Sequence, residues 1–112
     1  MTLSTKKINK LYKVVVFCPI KYEKTIIKVI ESFEWGRVEN YTGWSFVSRG
    51  VTRVKALPGA HPTIGQVGKV EIIKESRIET ICYKSELKQL IAAIKKVHPY
   101  EVPAIDVVEI IT

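Results

Sequence analysis

Cysteine is scarce in this chain of 112 residues: there are two, Cys18 and Cys82, each inside an apolar stretch. Free cysteines so placed behave as small buried hydrophobes, so the pair argues against a disulfide scaffold and for a reducing compartment. Long hydrophobic runs are missing too. No stretch approaches the ~20 apolar residues that a membrane-spanning helix needs. The start of the chain is polar and lysine-bearing with no apolar signal core behind it, which leads us to expect a cytoplasmic protein. Neither GxGxxG nor GxxxxGK[ST] occurs, which excludes the common nucleotide fingerprints. HExxH, a serine elbow and paired carboxylates flanked by apolar residues are also lacking, so the expectation is a non-enzyme.

What is present describes one folded domain. Hydrophobic residues make up 46% and charged residues 26%, within the range of globular proteins. The length suits a single core without staples. We read 1–112 as one domain, with 1–10 as a loosely attached N-terminal tail. Net charge is +7, and a basic surplus attracts anions. Its lysines, however, are spread along the chain apart from Lys6, Lys7, Lys10 and Lys13, which is not a nucleic-acid footprint.

Hydrophobic periodicity orders the elements. Tyr12–Phe17 is a β-branched run of strand length, ended by Pro19. Tyr22, Ile26, Val29, Ile30 and Phe33 recur at helical spacing, with Gly36 as the stop. From Asn40 to Leu57 the pattern is that of a strand, and Gly43 and Gly50 suggest a bend or bulge. Pro58–Gly68 is loop chemistry. Lys69–Tyr83 is a long strand pattern with an interruption near Lys74–Ser76. Ser85 is placed as a helix N-cap, with Glu86 at the first helical position. Leu87, Leu90, Ile91, Ile94 and Val97 form the buried stripe of that helix, and Ile105–Ile111 is the final strand. The order β-α-β-β-α-β predicts a ferredoxin-like α+β sandwich with a long central hairpin, its helices covering one sheet face.

Two connectors carry the polar cargo. His98–Asp106 reads HPYEVPAID, where Pro99 and Pro103 fix φ and remove two amide donors, holding His98, Tyr100 and Glu101 close together. Pro58–Gly68 reads PGAHPTIGQVG. Its glycines, Gly65 and Gly68 among them, have the freedom to bring backbone amides to an anion.

These segments resemble known proteins. HPYEVPAID resembles the HPYE-x-P signature shared by the CutA divalent-cation-tolerance proteins and the inserted central domain of the YqfO-type Nif-three-like proteins. PGAHPTIGQVG is similar to the PLxGAxPxIGxxG block of that insert. Tyr41, Trp44, Ser45, Phe46 and Gly50 upstream fit the same pattern, and Glu75, Arg77, Ile78 and Glu79 match its ExRIE strand. The matches run from about Tyr12 to Ile110. His61 departs from the block, which usually has a non-ionising residue there. The resemblance implies a CutA- and PII-like homotrimer assembled through the hairpin, with ligand clefts between subunits. Full-length YqfO-type proteins carry a di-metal centre on flanking domains. No dinuclear centre and no transferable hydrolase chemistry are therefore expected of these residues.

The candidate ligand residues are His61, Gly65, Gly68, His98, Tyr100 and Glu101, for an unidentified small ligand or protein partner. His98 with Glu101 is the candidate divalent-metal pair, with Asp106 in reserve. It falls short of a closed site, and neighbouring subunits would have to complete it. The alternative for His98 is a helix-terminal histidine on the negative dipole end. Trp44 and Phe46 are candidate interface residues, and Arg77 and Glu79 a candidate cross-strand or inter-subunit ion pair. TGWSFVSR, Thr42–Arg49, also resembles part of an RNA-recognition signature. It precedes the third strand instead of lying on it, so packing is the better account. Three functions follow in order: a non-catalytic sensor or small-ligand module, a divalent-cation-binding protein, and an RNA-binding module.

Overall fold

The computed structural model describes residues 10–111. The expected N-terminal tail lies, apart from Lys10, outside the described residues. Strand β1 is Leu11–Pro19, helix α1 Glu23–Glu31, β2 Phe46–Lys55, β3 Val70–Tyr83, α2 Lys84–Val97 and β4 Ala104–Ile110. The sheet order is β2-β3-β1-β4 with every neighbour antiparallel, the ferredoxin-like arrangement.

Alternation along the two central strands divides the sheet into two faces. Val14, Val16 and Cys18 of β1 and Ile78 and Cys82 of β3 turn toward the helices. There they meet Ile26 and Ile30 of α1 and Leu90 and Ile94 of α2 in one fully buried core. Trp35, just past α1, joins that core and donates its indole N–H to Val29 O at 3.0 Å. The other face, carrying Lys13, Val15 and Phe17 of β1 and Glu75, Arg77 and Glu79 of β3, has no helix of the described residues over it.

Several boundaries differ from the sequence pattern. Helix α1 ends at Glu31, and Phe33 packs against Trp35 in a tilted pair at 4.6 Å between ring centroids, still half-exposed. Gly36 is not a helix stop. At φ +59° it presses on β3, where an added Cβ would lie 2.5 Å from Ile81 O. β2 begins at Phe46, because Val38 and Tyr41 close a bridged turn and Gly43 takes φ +72°. The register from Phe46↔Glu79 to Lys55↔Val70 is unbroken, so Gly50 makes no bulge. Strand β3 is not interrupted either. Its pattern changes near Lys74–Ser76 because β1 stops at Pro19↔Glu75, beyond which β3 pairs with β2 alone.

Helix α2 begins two residues earlier than its serine suggested. Tyr83 is the N-cap and Glu86 the third helical residue, whose carboxylate accepts from Tyr83 N at 2.8 Å and Gly36 N at 2.9 Å. Capping from the third position satisfies an orphan amide, and the acidic group complements the helix dipole. The hairpin beyond Glu75 projects from the sheet and gives the molecule its 52 × 23 × 22 Å shape.

Candidate functional site

The loop 56–69 should be the free tip of that hairpin, yet it folds back. Gly68 N donates to Ala56 O at 2.8 Å and closes the base of the loop. From there the chain returns along the uncovered sheet face to the proline turn. His61 N donates to Glu101 Oε1 at 3.3 Å, and Thr63 Oγ1 to Pro99 O at 2.8 Å. Two segments about 40 residues apart in sequence are thereby latched together.

Between the folded-back loop and the hairpin lies a cavity of about 290 Å³. Its floor is the uncovered face of the hairpin: Thr52 and Val54 of β2, and Glu71, Ile73 and Glu75 of β3. Its roof runs from Ala60 to Gln66, and Tyr100, Glu101 and Val102 close one end. Gly65 marks where roof and floor meet. At φ +86° a Cβ there would stand 2.2 Å from Glu71 Cγ, so only glycine fits both the conformation and the space.

Glu75 is the polar centre of this pocket. It is 4% exposed, although no helix of the described residues covers its side of the sheet. Its carboxylate accepts from Thr52 Oγ1 and from Tyr100 Oη, each at 2.5 Å. Among the described residues, no lysine, arginine or histidine nitrogen forms an ion pair with it. Burial first, then the hydrogen bond and charge of Glu75, hold the Tyr100 hydroxyl protonated far above the usual tyrosine range. Tyr100 is thus a donor to the carboxylate, not a proton acceptor.

The expected site residues fall into separate roles. His98 is buried at the C-cap of α2. Its Nε2 lies 2.7 Å from Phe17 O, and its Nδ1 accepts from Tyr100 N at 3.2 Å. A carbonyl can only accept and an amide only donate, which sets the Nε2–H tautomer and leaves neither nitrogen open toward a metal within this chain. Its ring also packs 5.0 Å from that of Tyr100. His98 does stand at the C-terminal end of α2, and its ring is tied to β1 as well. Glu101 is exposed and serves the latch, while His61 contributes its backbone amide. Gly68 spends its own amide on the loop base, so it offers no donor to an anion.

Among the described residues, no group of three histidine, cysteine, aspartate or glutamate side chains is placed to hold a metal ion. Burial pushes both thiols up to about 11, helped at Cys18 by the charges of Glu75 and Glu23 and at Cys82 by Glu86.

Trp44 and Phe46 lie toward the opposite end of the uncovered face, both half-exposed. Trp44 borders a second apolar recess with Leu11, Tyr41, Ile81 and Ile110. Arg77 and Glu79 do pair, but loosely and along one strand, at 3.8 Å. Glu79 meets Lys13 across strands at 3.4 Å, and the Arg77 guanidinium sits over the Phe17 ring at 5.8 Å. The residues that sequence reasoning missed are Glu75 and Thr52. Glu75 alternates with Arg77 and Glu79 like any solvated strand face, so only the fold-back of the loop sets it apart.

No family model matches the chain. Sequence relatives do. It is 37% identical over 99 residues to the GTP cyclohydrolase 1 type 2 homolog of Bacillus subtilis strain 168, covering 88% of this chain and 26% of that protein. The protein of the same name from Mycobacterium tuberculosis H37Rv is 31% identical over 97 residues, with 87% and 26% covered. A Bacillus cereus protein related to Nif-three superposes with a TM-score of 0.80 at 31% identity, over 93% of this chain and 26% of that one. The chain is a homologue of one segment of these proteins. It spans about a quarter of the length of the curated relatives it matches.

Two solved structures of smaller proteins share the fold alone. The divalent cation tolerance protein CutA of Archaeoglobus fulgidus superposes with a TM-score of 0.63 at 14% identity, covering 89% of this chain and 83% of that one. The Bacillus subtilis GlnK–ATP complex does so at 0.61 and 13%, covering 91% and 84%. The fold is the CutA- and PII-like variant of the ferredoxin-like sandwich. No helix of the described residues is long and apolar enough to cross a membrane.

Proposed function

We propose that this chain is a non-catalytic small-ligand-binding module that works as a homotrimer and takes its ligand under the folded-back loop. The observation that carries the reading is the cavity of about 290 Å³, with apolar walls around one buried carboxylate and its two hydroxyl donors. A concave, mostly apolar pocket with a few convergent polar groups is the usual form of a small-molecule site. The two latch bonds support it further, since they hold the roof in place before any ligand arrives.

The trimer that the resemblance to CutA and PII implies fits the surface. Val51, Val70 and Ile72 stand half or more exposed on the projecting hairpin, away from the cavity. β2 and β4 are open edges, and a closed ring of copies covers such edges. Light scattering tests the assembly: three times 12.7 kDa is expected. A monomer at roughly 50 µM, where even weak self-association registers, would refute the trimer. A thermal-shift screen of small metabolites tests the pocket, and hits should lose their effect when Ala104, on the same wall, is enlarged to Leu. Calorimetry with divalent metals tests the cation reading, which would need ligands from neighbouring copies.

A further inference from the structure

The charge inside the pocket is opposite to the charge of the protein. The chain carries +7 overall, yet among the described residues the cavity is bordered by Glu71, Glu75 and Glu101 and by no lysine, arginine or histidine. Glu75 is the unusual member, buried without a counter-cation among the described residues. A buried carboxylate is costly to maintain unless it is hydrogen-bonded or paired. Thr52 and Tyr100 supply two donors, whereas two carboxylate oxygens offer about four acceptor positions. Acceptor capacity therefore remains on a group that borders the cavity.

A divalent ion is a poor fit for that capacity, because no three ligating side chains among the described residues converge on one point. The remaining wall is aliphatic: Val54, Ile73 and Val102, with Pro62 and Ile64 in the roof. Such a lining favours a molecule with one cationic end and an apolar body. The volume lies at the small end of ligand pockets, which limits the occupant to on the order of ten heavy atoms.

Resting on the reading of this pocket as a ligand site, we propose that its ligand class is a small primary amine, bound as the ammonium with its N–H groups on Glu75 and its hydrocarbon body between Val54, Ile73 and Ile64. Thr52 and Tyr100 orient the carboxylate by donating to it, and Glu101 ties down the roof.

Three matched probes test the assignment at one ionic strength: cyclohexylamine, cyclohexanol and cyclohexanecarboxylate, followed by methyl NMR of Val54, Ile73 and Ala104. Cyclohexylammonium should bind about tenfold more tightly than cyclohexanol, the worth of one charge-assisted hydrogen bond. The carboxylate should leave those methyls unmoved, against the pull of the net positive charge. Glu75→Gln should abolish the preference for the amine over cyclohexanol. Should that variant fold poorly, Tyr100→Phe provides a second arm: it removes a donor that orients Glu75 and should reduce the amine preference severalfold, and an unchanged preference would overturn the assignment. If the alcohol or carboxylate binds as well as the amine, the cation assignment falls and the pocket stands. If no probe moves those methyls, both fall.

Discussion

Replacing Gly65 with alanine separates two costs that the structure places at one residue. The first is conformational. Gly65 and Gly68 have nearly the same backbone angle, φ +86° and +87°, a region that costs an L side chain roughly 1 kcal/mol or more. The second is steric and belongs to Gly65 alone: its added Cβ would meet Glu71 Cγ at 2.2 Å, whereas nothing lies within 4 Å of a Cβ on Gly68. Glu71 must then leave its rotamer, at a cost of order 1 kcal/mol. Gly68→Ala should accordingly lose about 1 kcal/mol and Gly65→Ala about 2 kcal/mol, which for a domain of this size is roughly 4 °C and 8 °C in Tm. Gly50→Ala is the control, since its φ is ordinary and the space beside it open; it should be neutral or slightly stabilising. The assay is thermal unfolding by circular dichroism at one protein concentration. A double-mutant cycle with Glu71→Ala should recover the steric part, leaving Gly65→Ala no worse than Gly68→Ala. Equal losses at Gly65 and Gly68 in the wild-type background would refute the contact between roof and floor. No loss at either would refute the folded-back loop.

Three further outcomes are expected. His98→Ala should cost about 2–4 kcal/mol in chemical denaturation, because it opens a void and strands Phe17 O and Tyr100 N; a loss under 1 kcal/mol would show that the histidine braces nothing. Cys18 and Cys82 should react with a thiol reagent at pH 8 only on unfolding, since groups at about 11 are thiolate in about one molecule per thousand there; rapid labelling of the native protein would contradict their burial. Glu23 is held below its ordinary value by hydrogen bonds from Arg49 and Ser76. Its stabilising contribution is therefore full above the unfolded carboxylate range and lost as pH falls through the lowered folded value. Glu23→Gln should flatten the acid limb of the stability–pH curve below about pH 4.5, and an unchanged limb would place the acid sensitivity elsewhere.

Some of these features are legible in the chain and others are not. The helix stripes of Ile26–Ile30 and Leu90–Ile94 were legible because burial of one face repeats at the helical period. Helix ends were less so: Ser85 looks like the better cap, but Glu86 reaches back to Tyr83 N because the strand runs straight into the helix. Proximity within HPYEVPAID was legible, since two prolines stiffen a short segment. The division of labour inside it was not. His98 and Tyr100 differ in role only because Phe17 O stands beside one ring and the Glu75 carboxylate beside the other hydroxyl.

Local and periodic information in this sequence was enough to determine the element order, the helix-covered sheet face and the two connectors that border the cavity. Each depends on neighbours a few residues apart, where spacing and proline or glycine chemistry act directly. Only the tertiary structure decided that the loop 56–69 turns back instead of extending, and with it the burial of Glu75. That burial depends on contacts between residues 36 and 40 positions apart, and on a strand partner that ends at Pro19. A glutamate alternating with Arg77 and Glu79 has the same local pattern whether water or a folded-back loop lies above it, so its environment is set by long-range packing.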